Sequence, residues 1–276
     1  GNPGYDLVVP TDYMVALMIG EGMLEPLNYD LIPGVANLDP ALLDKSYDPG
    51  NVYSPPYQWG TLGLGYDVAK VGDLTTWAQT FAYEGPVAWL EDARAMFGVA
   101  LSILGYDPNT SNPEEIAEAR DFLITNGANV VAIAQDDGQA LLAGGEADIV
   151  VEYSGDIFQV MADNPDRFNY VIPAEAALLW VDNVVIPVGA PNPDLANVFI
   201  DYIAHPQVAA DISNYTAFAT PNLAALELGL IDPELLANPG IYPTPETKEN
   251  LFVIEDNPDG EQAINDAWNE LKIFLG

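Results

Sequence analysis

The chain reads as an α/β protein: short apolar strands alternate with amphipathic helices, and proline and glycine punctuate nearly every junction. Two bulk properties support a folded domain of this class. Its 276 residues can bury a sizeable core, as one large domain or two smaller lobes, and 49% of them are hydrophobic.

Taken in order, Tyr5–Pro10 (YDLVVP) predicts a buried strand closed by proline. Thr11 or Asp12 can cap the helix that follows, with Met14, Leu17 and Met18 on its apolar face. The proline- and aspartate-rich stretch 38–56 predicts a long surface connection. YQWGTLGLGYD then predicts a strand whose Gly60, Gly63 and Gly65 let the backbone pass close to other chain or to ligand. LEDARAMFGVALSIL (90–104) predicts a helix with acids in its first turn. Asn112-Pro113-Glu114 opens the next one, with asparagine as cap and proline at the first helical position.

NVVAIA (129–134), ADIVVEY (147–153), FNYVIP (168–173) and the long LLWVDNVVIP (178–187) predict strands. Short helices are expected around 139–143 and 155–162. The remainder predicts helices over 193–204, 207–215, 222–228 and 259–274. There is no internal repeat.

Charge narrows the function classes. Forty-two acidic residues face seven basic ones, for a formal net charge of −35. Such a surface repels phosphate backbones and anionic membranes, so no nucleic-acid partner is expected. It attracts cations, and it equally serves solubility or a saline habitat. No run reaches the roughly eighteen apolar residues of a membrane span, so no membrane insertion is expected. GNPGYDLVVP lacks the basic start and apolar core of a signal peptide, so an exported protein would have lost its signal before this numbering begins.

The catalytic inventory is thin. Cysteine is absent, which removes disulfides and thiol chemistry, and the single histidine, His205, precedes Pro206 at a helix end where a partly charged imidazole favours the dipole. A Ser-His-Asp triad and a histidine zinc site therefore lack their parts, and no catalytic, metal or cofactor residue is assigned. The glycines of 60–65 lack the lysine and helix start of a phosphate loop. Paired carboxylates leave a glycoside hydrolase as an alternative of a different class, although nothing singles out a proton donor.

Asp182 is the strongest single signal, because an ionised carboxylate inside an apolar strand is costly unless paired. Trp180 lies two residues earlier and so on the same face. An indole beside a carboxylate suits an alkylammonium; a structural salt bridge or a strand end meeting water would also account for Asp182. Asp92 reads by itself as a helix-dipole acid, and Tyr13 and Tyr153, each following a strand, as packing residues.

In its order of blocks the chain resembles the spermidine/putrescine-binding proteins of bacterial polyamine importers. The likeness runs through YDLVVPTDYMVALMIGEGMLEPL (5–27), NLDPALLDKSYDPGNVYSPPYQWGTLGLGYD (37–67), EDARAMFGVALSILGYDPNT (91–110), LLWVDNVVIP and ATPNLAAL (219–226). The resemblance implies a two-lobed, type II-like periplasmic-binding-protein fold with crossing hinge strands. Residues 1–64 and 184–230 would form the first lobe, and 65–183 and 231–276 the second. It implies a non-enzymatic, monomeric protein outside the cytoplasm, in the periplasm or lipid-anchored, that captures putrescine or spermidine between its lobes for an ABC permease. Another small cationic or neutral solute is the alternative within that class.

Carried over by position, Thr11 and Tyr13 match polar pocket positions. Asp92 matches a pocket acid, Tyr153 a position usually holding tryptophan, and Trp180 with Asp182 an aromatic–acid pair. Departures accompany the matches. Ala95 stands where a second acid is frequent, and Phe218 replaces a tyrosine. Glu255 or its neighbour Ile254 falls near a pocket glutamine, and Glu255 there would restore a negative charge. The family's opening strand, with its Trp-Thr-x-Tyr segment, precedes residue 1, so an N-terminally incomplete first lobe is expected.

Overall fold

A computed structural model describes residues 4–135 and 137–275. The chain divides into two compact units, Gly1–Gly60 with Trp180–Asn238 and Thr61–Leu179 with Pro239–Gly276.

The first turn of structure departs from expectation. Tyr5–Pro10 is no buried strand: Val8 makes one antiparallel bridge to Val185, while Tyr5 and Val9 are exposed. Pro10 has no N–H with which to extend the pairing. Helix α1 (Asp12–Gly20) follows, with Thr11 at its N-cap position but without a side-chain capping bond. Its buried residues are Asp12 and Val15, and Leu17 faces solvent. Of the expected Met14/Leu17/Met18 face, Met18 packs against the cluster of Val15, Leu24 and Val185, whereas Leu17 does not take part. Tyr13 belongs to the first turn of α1 rather than to a strand edge.

β1 (Leu24–Glu25) is short. The stretch after it is more than a surface connection: Asp48, 2% exposed, accepts the N–H groups of Val52, Tyr53 and Ser54 at 3.0, 2.9 and 2.8 Å, and the Ser54 hydroxyl at 2.7 Å. A buried carboxylate with four donors forms the nucleus of this turn-rich segment.

β2 (Pro56–Asp67) carries the chain from the first unit into the second. Its glycines are required by packing: a Cβ on Gly63 would lie 2.5 Å from the Val171 carbonyl and the Tyr170 hydroxyl, and one on Gly65 would lie 2.5 Å from Ile157. α2 (Val68–Val71) and α3 (Trp77–Ala82) follow, the latter opened by a Thr76/Gln79 capping box.

The expected helix over 90–104 begins later. Leu90 closes β3 (Val87–Leu90), and α4 (Ala93–Leu104) starts after Asp92, whose carboxylate accepts the Ala95 N–H at 3.0 Å. Asp92 is therefore the cap and not a first-turn acid. α5 (Pro113–Asn126) is capped by Asn112 as predicted.

β4 (Val130–Ala134), α6 (Gly138–Gly144), β5 (Ile149–Tyr153), α7 (Ser154–Asp163) and β6 (Phe168–Val171) complete the alternation. In the second unit β3 pairs in parallel with both β4 and β5, while β2 is antiparallel to β5 and β6.

LLWVDNVVIP splits into β7 (Ala177–Asn183) and β8 (Ile186–Pro187). The break follows from a change of partner: Asn183 N–H bonds Pro10, Val184 bonds Pro55, and β8 pairs with β1. In the first unit α8 (Pro193–Ile203) packs its Ala196 and Ile200 against Leu27, Ile32, Val35, Val184 and Ile186.

α9 (Pro206–Thr216), α10 (Leu223–Glu227) and α11 (Pro233–Leu236) follow, then α12 (Pro245–Lys248), β9 (Leu251–Phe252) and α13 (Pro258–Leu275) in the second unit. β9 adds in parallel to β7, and α13 lies on α4 and α5, with Phe97 and Trp268 edge to face at 6.5 Å.

Candidate functional site

In the first unit the site residues converge on β7. Trp180, 6% exposed, meets Phe218 edge to face, with ring centroids 5.0 Å apart. Phe218 is held by its own backbone: the Ser213 hydroxyl donates to its carbonyl, and Ala217 before it takes a left-handed turn at φ 59°. Asp182, partly buried on β7, forms a backbone bridge with Thr11. No ion pair among the described residues involves Asp182. Burial pushes its carboxyl up to about 6.

The bridge also delivers a residue that the sequence reading passed over as a helix cap. Asp12, 5% exposed, accepts the Tyr13 N–H at 2.8 Å, with the Val181 backbone close by. Burial raises its carboxyl from 3.8 to about 7, backbone hydrogen bonds oppose the rise, and the charge of Asp182 adds to it. Tyr47 and Tyr57 flank the acids: burial drives both phenols upward, Tyr47 to about 12, and the charges of Asp12 and Asp182 respectively reinforce the shifts. Lys45 is the sole lysine or arginine in this unit's sequence, and it is exposed. The unit therefore presents two acids on an aromatic wall without an arginine to neutralise them.

The second unit carries the rest. Asp92, partly buried at the head of α4, is raised by burial, and its backbone bonds and the Arg94 charge hold it back. Buried Arg94 donates to Glu261 at 2.9 Å, to Asn109 at 3.2 Å and to the Glu255 carbonyl at 2.9 Å. Glu255 thus joins the surroundings of Asp92 through its main chain, and its residue is exposed. Ala95 is fully buried. Tyr153 ends β5, partly buried, with its N–H on the Glu152 carboxylate.

His205 follows the C-cap Ala204 at the end of α8, as expected, and is also the N-cap of α9, where the positive end of one helix dipole offsets the negative end of the other. Among the described residues no group of His, Cys, Asp and Glu could hold a metal ion, and no helix is long and apolar enough to cross a membrane.

Two discontinuous α/β units, with an aromatic and acidic residue set on β7 of the first, match the architecture of the solute-binding class. Residues 1–243 match the model of the bacterial extracellular solute-binding proteins, and the chain belongs to that family.

It is 33% identical to a putrescine/agmatine-binding protein of Pseudomonas aeruginosa, over 99% of this chain and 80% of the relative. It is 35% identical to the spermidine/putrescine-binding periplasmic protein of Escherichia coli, over 97% and 77%. The substrate-binding protein of a spermidine/putrescine ABC transporter from Streptococcus pneumoniae superposes with a TM-score of 0.87 at 33% identity, covering 99% of this chain and 84% of that one. A lipoprotein of Treponema pallidum gives 0.84 at 26%, covering 98% and 85%. The fold is that of the two-lobed periplasmic binding proteins.

Proposed function

We propose that this protein captures a small polyamine, putrescine or spermidine, and delivers it to an ABC permease without making or breaking a bond. One arrangement carries the reading: Asp182 lies two residues from Trp180 on β7, Trp180 packs on Phe218, and buried Asp12 adjoins the Thr11–Asp182 bridge, in a unit whose only lysine or arginine is the exposed Lys45. A primary ammonium supplies the missing charge, and its methylene chain lies against the rings. Names of similar proteins point the same way. Thr11 and Tyr13 would supply polar contacts beside the acids. Asp92, Tyr153 and Glu255 would be the second unit's contribution, on the strength of the family resemblance.

Calorimetry with putrescine, spermidine and spermine at pH 8 tests the reading. Micromolar or tighter binding is expected for at least one of them, weakened on the order of a hundredfold in Asp182→Asn by loss of a desolvated charge pair worth about 3 kcal/mol. Absence of binding by all three would refute it.

A further inference from the structure

Gln58 is a polar side chain on the buried stretch of β2, itself 7% exposed. A buried primary amide is unfavourable unless it is hydrogen-bonded. Here Gln58 Nε2 donates at 2.6 Å to the hydroxyl of Thr216, a residue 158 positions away in the chain. That hydroxyl is fully committed: it donates to the Ile212 carbonyl at 3.0 Å, and besides the amide it accepts the Phe218 N–H at 3.4 Å. Between Thr216 and Phe218 stands Ala217, the C-cap of α9, at φ 59° and ψ 21°. Residues with a Cβ avoid this left-handed region, so the turn persists only where its surroundings hold it.

The other holding contacts lie on the far side of Phe218. The Ser213 hydroxyl donates to the Phe218 carbonyl at 2.5 Å. Ala219 exchanges both backbone bonds with Trp59, the neighbour of Gln58, at 3.1 and 3.0 Å. The Phe218 ring, partly exposed, then meets Trp180 with centroids 5.0 Å apart and planes at 79°. All of these residues belong to the first unit.

We infer that Gln58 is a positioning residue for the aromatic wall: through the Thr216 hydroxyl it holds the left-handed turn at Ala217 and so sets the Phe218 ring against Trp180. The inference rests on the polyamine reading of that wall and deepens it. A ring already fixed has little freedom left to lose when a methylene chain lies against it, so the solute binds more tightly. A glutamine that merely filled the core would stabilise the fold without bearing on the ring.

Nuclear magnetic resonance of the ligand-free full chain, labelled at phenylalanine and tryptophan, reads the ring contact directly. Cross-peaks between the Phe218 and Trp180 rings, assigned by their disappearance in Phe218→Leu, should be largely lost in Gln58→Met, which keeps the side-chain length and removes the donor. Calorimetry with putrescine, spermidine and spermine at pH 8 reads the consequence. Affinity for the tightest of them should fall about threefold to tenfold in Gln58→Met, the cost of ordering one ring on binding. In a Phe218→Leu background the same substitution should change affinity by less than about twofold, because the group it acts through is gone. Thr216→Val, which removes the other end of the bond, serves if Gln58→Met fails to fold. Undiminished cross-peaks or undiminished affinity in a folded Gln58→Met overturns the inference, as does an equal loss of affinity with and without the Phe218 ring. If the parent binds none of the three amines, the polyamine reading falls, and the cross-peaks alone decide whether Gln58 positions the ring.

Discussion

Replacing Asp12 by asparagine should stabilise the ligand-free protein at pH 8 and not at pH 4.5. The folded-state carboxyl titrates at about 7 against 3.8 when free. A folded acid raised above its unfolded value binds the extra proton in the native state, so stability is present at low pH and is lost as pH climbs from about 4 to 7. Three pKa units at 1.36 kcal/mol each give about 4 kcal/mol of ionisation penalty above pH 7. Asparagine escapes it but accepts the Tyr13 N–H with a neutral amide oxygen in place of a carboxylate, which forfeits about 1–2 kcal/mol. The net gain is about 2 kcal/mol at pH 8. For a chain of this length that corresponds to roughly 4 °C in Tm, read by scanning calorimetry. At pH 4.5 only about 1 kcal/mol of the penalty is left, the lost acceptor offsets it, and Tm should stay level or drop. An equal Tm change at both pH values would refute the assignment of a raised, buried carboxyl to Asp12.

Gly63→Ala should destabilise by about 2–3 kcal/mol in urea unfolding, because its Cβ would meet the Val171 carbonyl at 2.5 Å, a backbone atom that cannot swing aside; a loss below about 0.5 kcal/mol would show that the sheet yields there. Asp48→Ala strands three N–H groups and a hydroxyl and should cost about 3 kcal/mol or more, with Asp48→Asn costing less. Equal losses for the two Asp48 variants would contradict the hydrogen-bond account.

Local signals carried far into the fold. Asn112-Pro113-Glu114 states a helix start in three adjacent residues, and α5 begins there because cap and donor are neighbours in the chain. Glycine at 63 and 65 announced close passage, and Tyr170 and Ile157 are what passes. The alternation of an extended strand suffices to put Trp180 and Asp182 on one side of β7.

Elsewhere, competition between distant partners decided. LLWVDNVVIP has the composition of one strand, but Pro10, Pro55 and β1 divide its backbone groups among them. Leu90 reads from the sequence as the first residue of the helix over 90–104, because an apolar residue fits either period; pairing with β4 and β5 makes Val87–Leu90 the strand β3. Tyr5–Pro10 has the composition of a strand, but among the described residues its pairing is confined to Val8 with Val185 and the Pro10 carbonyl with Asn183.

By itself the sequence determined the α/β alternation, the Asn112 cap of α5 and the aromatic–acid pair of β7, since each depends on residues within a few positions of one another. The acidic surface was equally plain in it. Only the tertiary structure decided that Asp12 is buried next to the Thr11–Asp182 bridge and that Asp48 collects four donors. Burial and charge are properties of three-dimensional neighbourhoods, and a carboxylate's ionisation follows the donors and acids that folding places around it, however far away they lie in the chain.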